Sequence, residues 1–129
     1  MNTAYRWEAS GARGRVLCLL DGPDEQGTSW VAVCGDIDHR NVATLAQALT
    51  ATVNAGSRTT LLDLCNVGFV DSTVLHALLE AQRSLRAARA RLLLASPLSR
   101  EVERLLDITG ARTYFTFTDD APAHKHCRP

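Results

Sequence analysis

The sequence predicts an α/β domain built on a mixed central sheet of about five strands with three to four helices. Short apolar runs alternate with stretches whose apolar residues recur every three or four positions, in the order β–β–α–β–α–β–α–β. Helices that alternate with short apolar strands favour parallel pairing through right-handed crossovers. The length of 129 residues suits one domain, which we place at 15–118, between an N-terminal arm (1–14) and a polar tail (119–129).

The N-terminal part of the chain predicts an arm followed by a hairpin. Residues 1–14 are weakly patterned, and we expect them to be loosely ordered. The runs at 15–20 (RVLCLL) and 30–37 (WVAVCGDI) are rich in apolar and β-branched residues, as strands are. The segment between them is crowded with Gly, Asp and Ser, which is typical of a loop.

The first helix is predicted to begin after Asp38, whose carboxylate can accept a backbone N–H of the first turn. One apolar stripe follows it, made of Val42, Leu45, Leu49 and Val53. Gly56 ends the helix as a left-handed cap.

A third strand is predicted at 58–64, with a bend through Gly68 at 66–70. Asp71-Ser72-Thr73 then opens a second helix. Its buried face consists of Leu75, Leu78, Leu79, Gln82 and Leu85.

The last third of the chain repeats the strand–helix–strand pattern. The apolar run at 91–95 predicts a strand buried in a parallel sheet. A helix is expected to begin at Ser96-Pro97 and to end at Gly110. The alternating polar and aromatic residues at 113–118 predict the final strand.

Composition excludes several classes of function. The chain carries 14 Lys and Arg against 14 Asp and Glu, so it lacks the positive charge of nucleic-acid binders and membrane-surface proteins. The sequence shows no targeting segment and no apolar run of spanning length. We therefore expect a cytoplasmic protein without membrane insertion or nucleic-acid binding.

No enzyme motif is present. Glycine-rich phosphate loops and the GxSxG elbow are both absent. His124-Lys125-His126-Cys127 is the only dense group of metal-ligand types, and we interpret it as a solvated tail. A non-enzymatic protein without cofactor or metal is expected.

Asp71-Ser72-Thr73 is the segment with the most functional potential, and two interpretations of it stay open. In the structural one, these residues cap the second helix. In the functional one, Ser72 is an exposed hydroxyl whose phosphorylation would add about two negative charges beside Asp71 and repel an acidic partner.

Four segments together resemble the STAS domain of anti-sigma factor antagonists from bacterial partner-switching systems. Residues 63–75 (DLCNVGFVDSTVL) are similar to its central motif, in which Asp-Leu-Ser precedes Asp-Ser-Ser/Thr-Gly-Leu. Residues 35–38 (GDID) resemble its Gly-Glu-Leu-Asp, and 96–97 (SP) and 106–110 (LDITG) resemble two later elements.

The resemblance implies a phosphorylation switch. Ser72 would be the phosphoacceptor, and Asp38, Asp71 and Thr73 would lie on the docking surface. The partner would be an anti-sigma factor that is also a serine kinase with a GHKL-type ATPase fold, with a phosphatase to reset the switch. Val74 and His76 stand where the family carries Gly and a small residue, and we expect both in the partner-binding region.

Two alternatives remain on the sequence. In one, the chain is a STAS binding or scaffold module without a phosphorylation cycle, serving a transport or stress-signalling complex; Val74 in place of the motif Gly favours it. In the other, Cys65, at the motif's Ser position, provides redox control as an exposed thiol of low pKa.

Overall fold

The computed structural model describes residues 4–119. They form six strands, three α-helices and one 3-10 turn, in the order β1 (Ala4–Ser10), β2 (Arg15–Asp21), β3 (Thr28–Ile37), α1 (Val42–Asn54), β4 (Thr59–Val70), α2 (Ser72–Ala87), β5 (Arg91–Ala95), α3 (Arg100–Thr109), the turn (Ala111–Tyr114) and β6 (Thr116–Thr118).

The strands lie in the sheet in the same order as in the sequence, from β1 at one edge to β6 at the other. β1, β2 and β3 pair antiparallel, whereas β3, β4, β5 and β6 pair parallel. The predicted mixed α/β sheet and the β2–β3 hairpin are therefore confirmed, with six strands instead of about five.

The additional strand is β1, in the segment for which the sequence predicted a loosely ordered arm. That prediction was wrong for residues 4–10, which pair with β2 from Ala4–Asp21 to Ser10–Arg15 without a register shift. The apolar pattern of this segment is weak because β1 is an edge strand. Trp7 packs partly against the core, while Arg6 and Glu8 are exposed. The backbone of β2, rather than an apolar run, determines this strand.

All three helices pack on one face of the sheet. A single apolar cluster joins the inward side chains of the strands to those of the helices, such as Leu45 of α1, Leu78 of α2 and Leu106 of α3. Parallel strands added one beside the next through right-handed crossovers place their helices on one side. The helix α2, with 16 residues, is the longest described, and no helix within 4–119 is long and apolar enough to cross a membrane.

The other face of the sheet carries a small cluster of its own. Leu17 and Leu19 of β2 pack there against Ala32 and Cys34 of β3. No described helix contributes to this cluster.

β4 is longer than predicted, because residues 66–70, expected to bend, continue the strand to Val70. Its pairing with β3 absorbs the irregularity through two register shifts, one between Ala32 and Cys34 and one between Gly35 and Ile37. Bulges of this kind turn a strand locally without ending it. As a result, Ile37 and Val70 are paired at the ends of both strands.

The helix ends agree with the sequence in part. Gly56 and Gly110 have left-handed φ angles of 76° and 70°, as expected for glycines that follow a helix. The N-cap of α1 is Asn41 rather than Asp38, and α3 begins after Ser99, not at Ser96-Pro97. β6 begins only at Thr116, because the preceding residues form the 3-10 turn.

A substitution at Gly35 can show how tightly the bulged part of the sheet is packed. Its φ is +104°, and a Cβ there would collide with the carbonyl oxygen of Arg15. Gly56 also has positive φ, but a Cβ there meets nothing within 4 Å. We expect Gly56→Ala to cost about 1 kcal/mol of unfolding free energy and Gly35→Ala at least about 3 kcal/mol.

Urea unfolding of the two variants measures this difference. Gly56→Ala is the matched control, because it shares the backbone strain and lacks the collision. Equal losses in the two variants would contradict the packing described for Gly35.

Candidate functional site

The candidate site lies at the carboxyl-terminal ends of β3 and β4, in the parallel half of the sheet. Because Ile37 and Val70 are paired, the residues that follow them, Asp38 and Asp71, emerge side by side. Both motifs that the sequence singled out, 35–38 and 63–75, therefore meet in space.

Asp38 is a buried anchor, with only 3% of its surface exposed. One of its oxygens, Oδ2, accepts hydrogen bonds from the backbone N–H groups of Ala12 (2.8 Å) and Arg13 (3.1 Å). The other, Oδ1, accepts the N–H of Arg40 at 2.8 Å. The Asp38 N–H donates to Oδ1 of Asn41 at 2.9 Å. The carboxylate of Asp38 thus accepts hydrogen bonds inside the protein, and its expected place on a docking surface stays a prediction.

These contacts set the charge of Asp38. Burial by itself raises the pKa of the carboxyl, but the N–H donors of Arg40, Arg13 and Ala12 and the nearby His39 outweigh it, so the pKa is lowered from 3.8. Asp38 is therefore ionised at neutral pH, and its charge holds the β1–β2 turn against the start of α1.

Asp71 is the N-cap of α2, one of the three residues that the sequence offered for this role. Its Oδ1 accepts the backbone N–H of Thr73 at 2.9 Å and also the Thr73 hydroxyl. Its Oδ2 accepts the N–H of His39 at 2.9 Å. One carboxylate therefore satisfies the first turn of α2 and ties that helix to the segment after β3.

Ser72 is the first residue of α2 and is exposed. Within residues 4–119 its hydroxyl has no hydrogen-bond partner, since the neighbouring Asp71 bonds to Thr73 and His39. The hydroxyl stands at the positive end of the helix dipole. This geometry leaves it open to a reagent or an enzyme that approaches from solvent.

Val74 and His76 are placed differently from each other. Val74 is fully buried in the core, so its side chain is not exposed in the free chain, and the expected contact with a partner stays a prediction. In the first turn of α2, the side chain two positions after an exposed one can turn inward, and here it packs with the apolar cluster. His76 is exposed on the same helix.

A groove of about 500 Å³ runs between α1 and α2. Thr73 and His76 line it on the α2 side. Small and apolar side chains form most of its wall, among them Val42, Ala43, Ala46, Ala77 and Ala81. Two members of the predicted site, the half-buried Thr73 and the exposed His76, thus border one concave surface.

Two contacts near the site were not predicted. The guanidinium of Arg13 lies 4.3 Å from the ring centroid of Phe69, and the Asp36 carboxylate accepts the N–H of Phe69 at 2.8 Å. They hold the β1–β2 turn and the end of β3 on β4. No local pattern marks Arg13, because its partner is distant in the sequence; only the GDID segment pointed to this corner.

The cysteines and the tail bear on the alternatives. Cys18 and Cys34 are buried. Burial, and to a smaller extent the nearby Cys34, raises the pKa of Cys18 to about 12, so Cys18 stays a thiol. Cys65 is exposed, and its redox role remains a prediction. Residues 124–127 lie outside the described part, and among residues 4–119 no three His, Cys, Asp or Glu side chains could hold a metal ion.

Fold and site together define a class: small α/β domains that present a serine at a helix N-terminus beside the end of a mixed sheet. The family model of the STAS domain matches residues 23–122. The chain belongs to the STAS domain family. A comparison with curated proteins finds no match.

Several solved structures share the fold. An anti-sigma factor antagonist from Mycobacterium paratuberculosis has 25% sequence identity and a TM-score of 0.68, over 86% of this chain and 91% of that one. The antagonist SpoIIAA in its unphosphorylated form has 19% identity and a TM-score of 0.65, over 80% and 89%. The phosphorylated form of the Bacillus cell fate determinant SpoIIAA has 19% identity and a TM-score of 0.59, over 80% and 92%.

The double role of Asp71 leads to a prediction. Asp71→Ala removes the α2 cap, worth about 1 kcal/mol, and also the acceptor of the His39 N–H. Ser99→Ala is the matched control, because Ser99 caps α3 by accepting only the Val102 N–H. We expect the larger loss of unfolding free energy for Asp71→Ala, with faster amide hydrogen exchange at His39 and Thr73. Unchanged exchange at His39 would refute the link between α2 and the segment after β3.

The lowered pKa of Asp38 leads to a second prediction. Because the folded-state pKa is lowered, ionised Asp38 stabilises the fold above the ordinary carboxyl pKa, and this stabilisation disappears as the pH falls through the folded-state value. Asp38→Asn should therefore lower the melting temperature at neutral pH and reduce its fall below about pH 4.

Melting curves at a series of pH values measure both effects. Glu25→Gln, which removes an exposed carboxylate in the β2–β3 loop, controls for the change in net charge. A variant Asp38→Asn whose melting temperature falls with acid as steeply as that of the unaltered protein would show that Asp38 does not anchor the turn through its charge.

Proposed function

We propose that this chain is an anti-sigma factor antagonist that binds an anti-sigma factor with serine-kinase activity and is released when Ser72 is phosphorylated. The observation that carries the proposal is the exposed hydroxyl of Ser72, without a hydrogen-bond partner in the described structure, at the first position of α2. Membership in the STAS family and the likeness to a Mycobacterium antagonist support it.

The proposed reaction is a phosphoryl transfer from ATP to Ser72. The Oγ–P bond forms, the bond between the β- and γ-phosphates breaks, ADP leaves, and the hydroxyl proton passes to a base. Asp71 is already hydrogen-bonded to Thr73 and His39, so it positions the helix terminus rather than accepting the proton. We infer that the kinase provides the base and the ATP site, through a GHKL-type ATPase domain.

The phosphate would act by its charge. The first turn has little to neutralise it with, because the N–H of Thr73 donates to Asp71 Oδ1 and that of Val74 to the Asp71 carbonyl oxygen. About two negative charges would therefore be added to an exposed surface beside the Asp71 carboxylate. These charges would repel an acidic partner surface. An apolar partner surface could bind only at the cost of removing water from the phosphate.

The buried position of Val74 supports access to this surface. Since its side chain is in the core, Val74 adds no bulk around Ser72 relative to the family's Gly. The substitution therefore leaves room for a kinase and ceases to favour a module without phosphorylation.

We place the partner contacts around Thr73 and His76, which border the groove between α1 and α2. The cytoplasm is the compartment in which such a kinase, its ATP and a resetting phosphatase would meet this chain.

Ser72 variants test the proposal. Ser72→Ala should prevent incorporation of phosphate and keep the partner bound in the presence of ATP. Ser72→Glu should weaken binding at least about tenfold, because it places a charge at the interface. Intact mass after incubation with ATP and titration calorimetry measure the two effects, with ATPase-type anti-sigma factors from the same organism as the candidate partners.

Ser96→Ala is the control, because Ser96 is also an exposed serine but does not line the groove between α1 and α2. It should still gain one phosphate and bind as the unaltered protein does. Binding that does not respond to Ser72→Glu, with no phosphate gained, would favour the STAS scaffold module instead.

A further inference from the structure

The outer edge of β1 is regular along its whole length. All seven residues, Ala4–Ser10, pair with β2 in continuous register, without a bulge or a proline. Natural edge strands are commonly shortened, bulged or interrupted by proline to prevent further pairing. The opposite edge of the sheet, β6, has only three residues. β1 therefore offers the longer and more regular unpaired edge of the described sheet.

The sequence of β1 is complementary to itself in antiparallel pairing. Around Trp7 the charges read Arg6, Trp7, Glu8. A two-fold axis at Trp7 puts Arg6 of each copy directly opposite Glu8 of the other, and Trp7 opposite Trp7. Opposite charges placed directly across a strand pair stabilise it, whereas like charges destabilise it. We propose that β1 pairs antiparallel with β1 of a second copy of this chain, forming a two-fold homodimer with a continuous sheet.

The ion pairs of the single chain are compatible with this arrangement. Glu8 Oε1 lies 2.7 Å from Arg15, which holds it in place, whereas the contact of Arg6 with Glu8 Oε2 is longer, at 3.4 Å. The Arg6 side chain is 63% exposed and can turn toward the neighbouring strand. Each Glu8 would then sit between its own Arg15 and Arg6 of the second copy.

The inward face of β1 adds complementarity of size. Tyr5 is 54% exposed, and its ring centroid is 6.0 Å from that of Trp7. In the same register Tyr5 lies opposite Ala9 of the second copy, whose small side chain leaves room for the ring. Pairing would cover apolar surface that the single chain leaves in water.

The dimer does not depend on the proposed function. Ser72 follows β4, three strands away from β1 in the sheet. Pairing at β1 therefore leaves both Ser72 residues uncovered.

Exchanging the two charges tests the dimer directly. Arg6→Glu places Glu opposite Glu in both halves and should raise the dimer dissociation constant at least about tenfold. The double variant Arg6→Glu with Glu8→Arg restores opposite charges and should recover dimerisation. Because Glu8 also contacts Arg15, the series is repeated with Arg15→Gln, so that position 8 is compared without that contact. Sedimentation velocity over a wide range of protein concentrations measures the dissociation constants.

Cross-linking tests the register. Cys18 pairs with Trp7 in the same chain, so it is changed to Ala, and Cys65 and Cys127 are changed to Ser. In this background Trp7→Cys puts one thiol of each copy on the axis, within the Cα separation that a disulfide needs. Mild oxidation should give a covalent dimer. Ala4→Cys is the control, because it lies opposite Ser10 and should cross-link poorly.

A protein that is monomeric at every concentration would overturn the proposal, and so would a dimer that Arg6→Glu does not weaken. If Leu19→Asp abolishes the dimer while Arg6→Glu leaves it intact, the interface lies on the open face of the sheet and the proposed pairing of β1 is wrong. Circular dichroism verifies that each variant is folded.

Discussion

The carboxylate of Asp38 joins parts of the chain that are far apart in the sequence. It accepts N–H groups from the β1–β2 turn and from the segment that leads into α1, and it does so from inside the protein. Three N–H donors repay the cost of burying a charge, which is why Asp38 remains ionised. This anchor attaches the β1–β2 turn to the end of β3, together with the contact between Arg13 and Phe69. His39 directly follows Asp38, and its N–H donates to Asp71. The anchored segment therefore also positions Asp71 and the neighbouring Ser72.

The one-sided construction of the sheet explains where its surfaces are. Strands in sequential order, joined by right-handed crossovers, put α1, α2 and α3 on one face. The ends of β3 and β4 then open at one edge of the sheet, where the helix N-terminus of α2 presents Ser72. The same order leaves β1 at the outside, three strands away from β4. A surface for a signalling partner and an edge for a second copy can therefore coexist on a domain of this size.

Much of the fold could be predicted because its signals are local. The stripe of α2, the capping role of Asp71 and the left-handed glycines 56 and 110 each depend on neighbours within a few residues. The errors share one cause, which is competition from distant partners. Asp38 has the chemistry of an N-cap, yet its carboxylate accepts N–H groups of residues 12 and 13, and Asn41 occupies the N-cap position of α1 without a side-chain capping bond. Val74 stands between exposed and half-buried residues, and only the packing of α2 decides that it points inward.

By itself, the sequence determined the alternation of strands and helices, the α/β class and the motif that brings Ser72 to a helix N-terminus. These features follow from periodicity and capping, which act over one or two turns of chain. The tertiary structure decided that residues 4–10 form an edge strand, that β4 continues to Val70, and that Asp38 is an internal anchor while Ser72 is open to solvent. Those outcomes depend on backbone hydrogen bonds and burial between segments distant in the sequence, and no local pattern records such contacts.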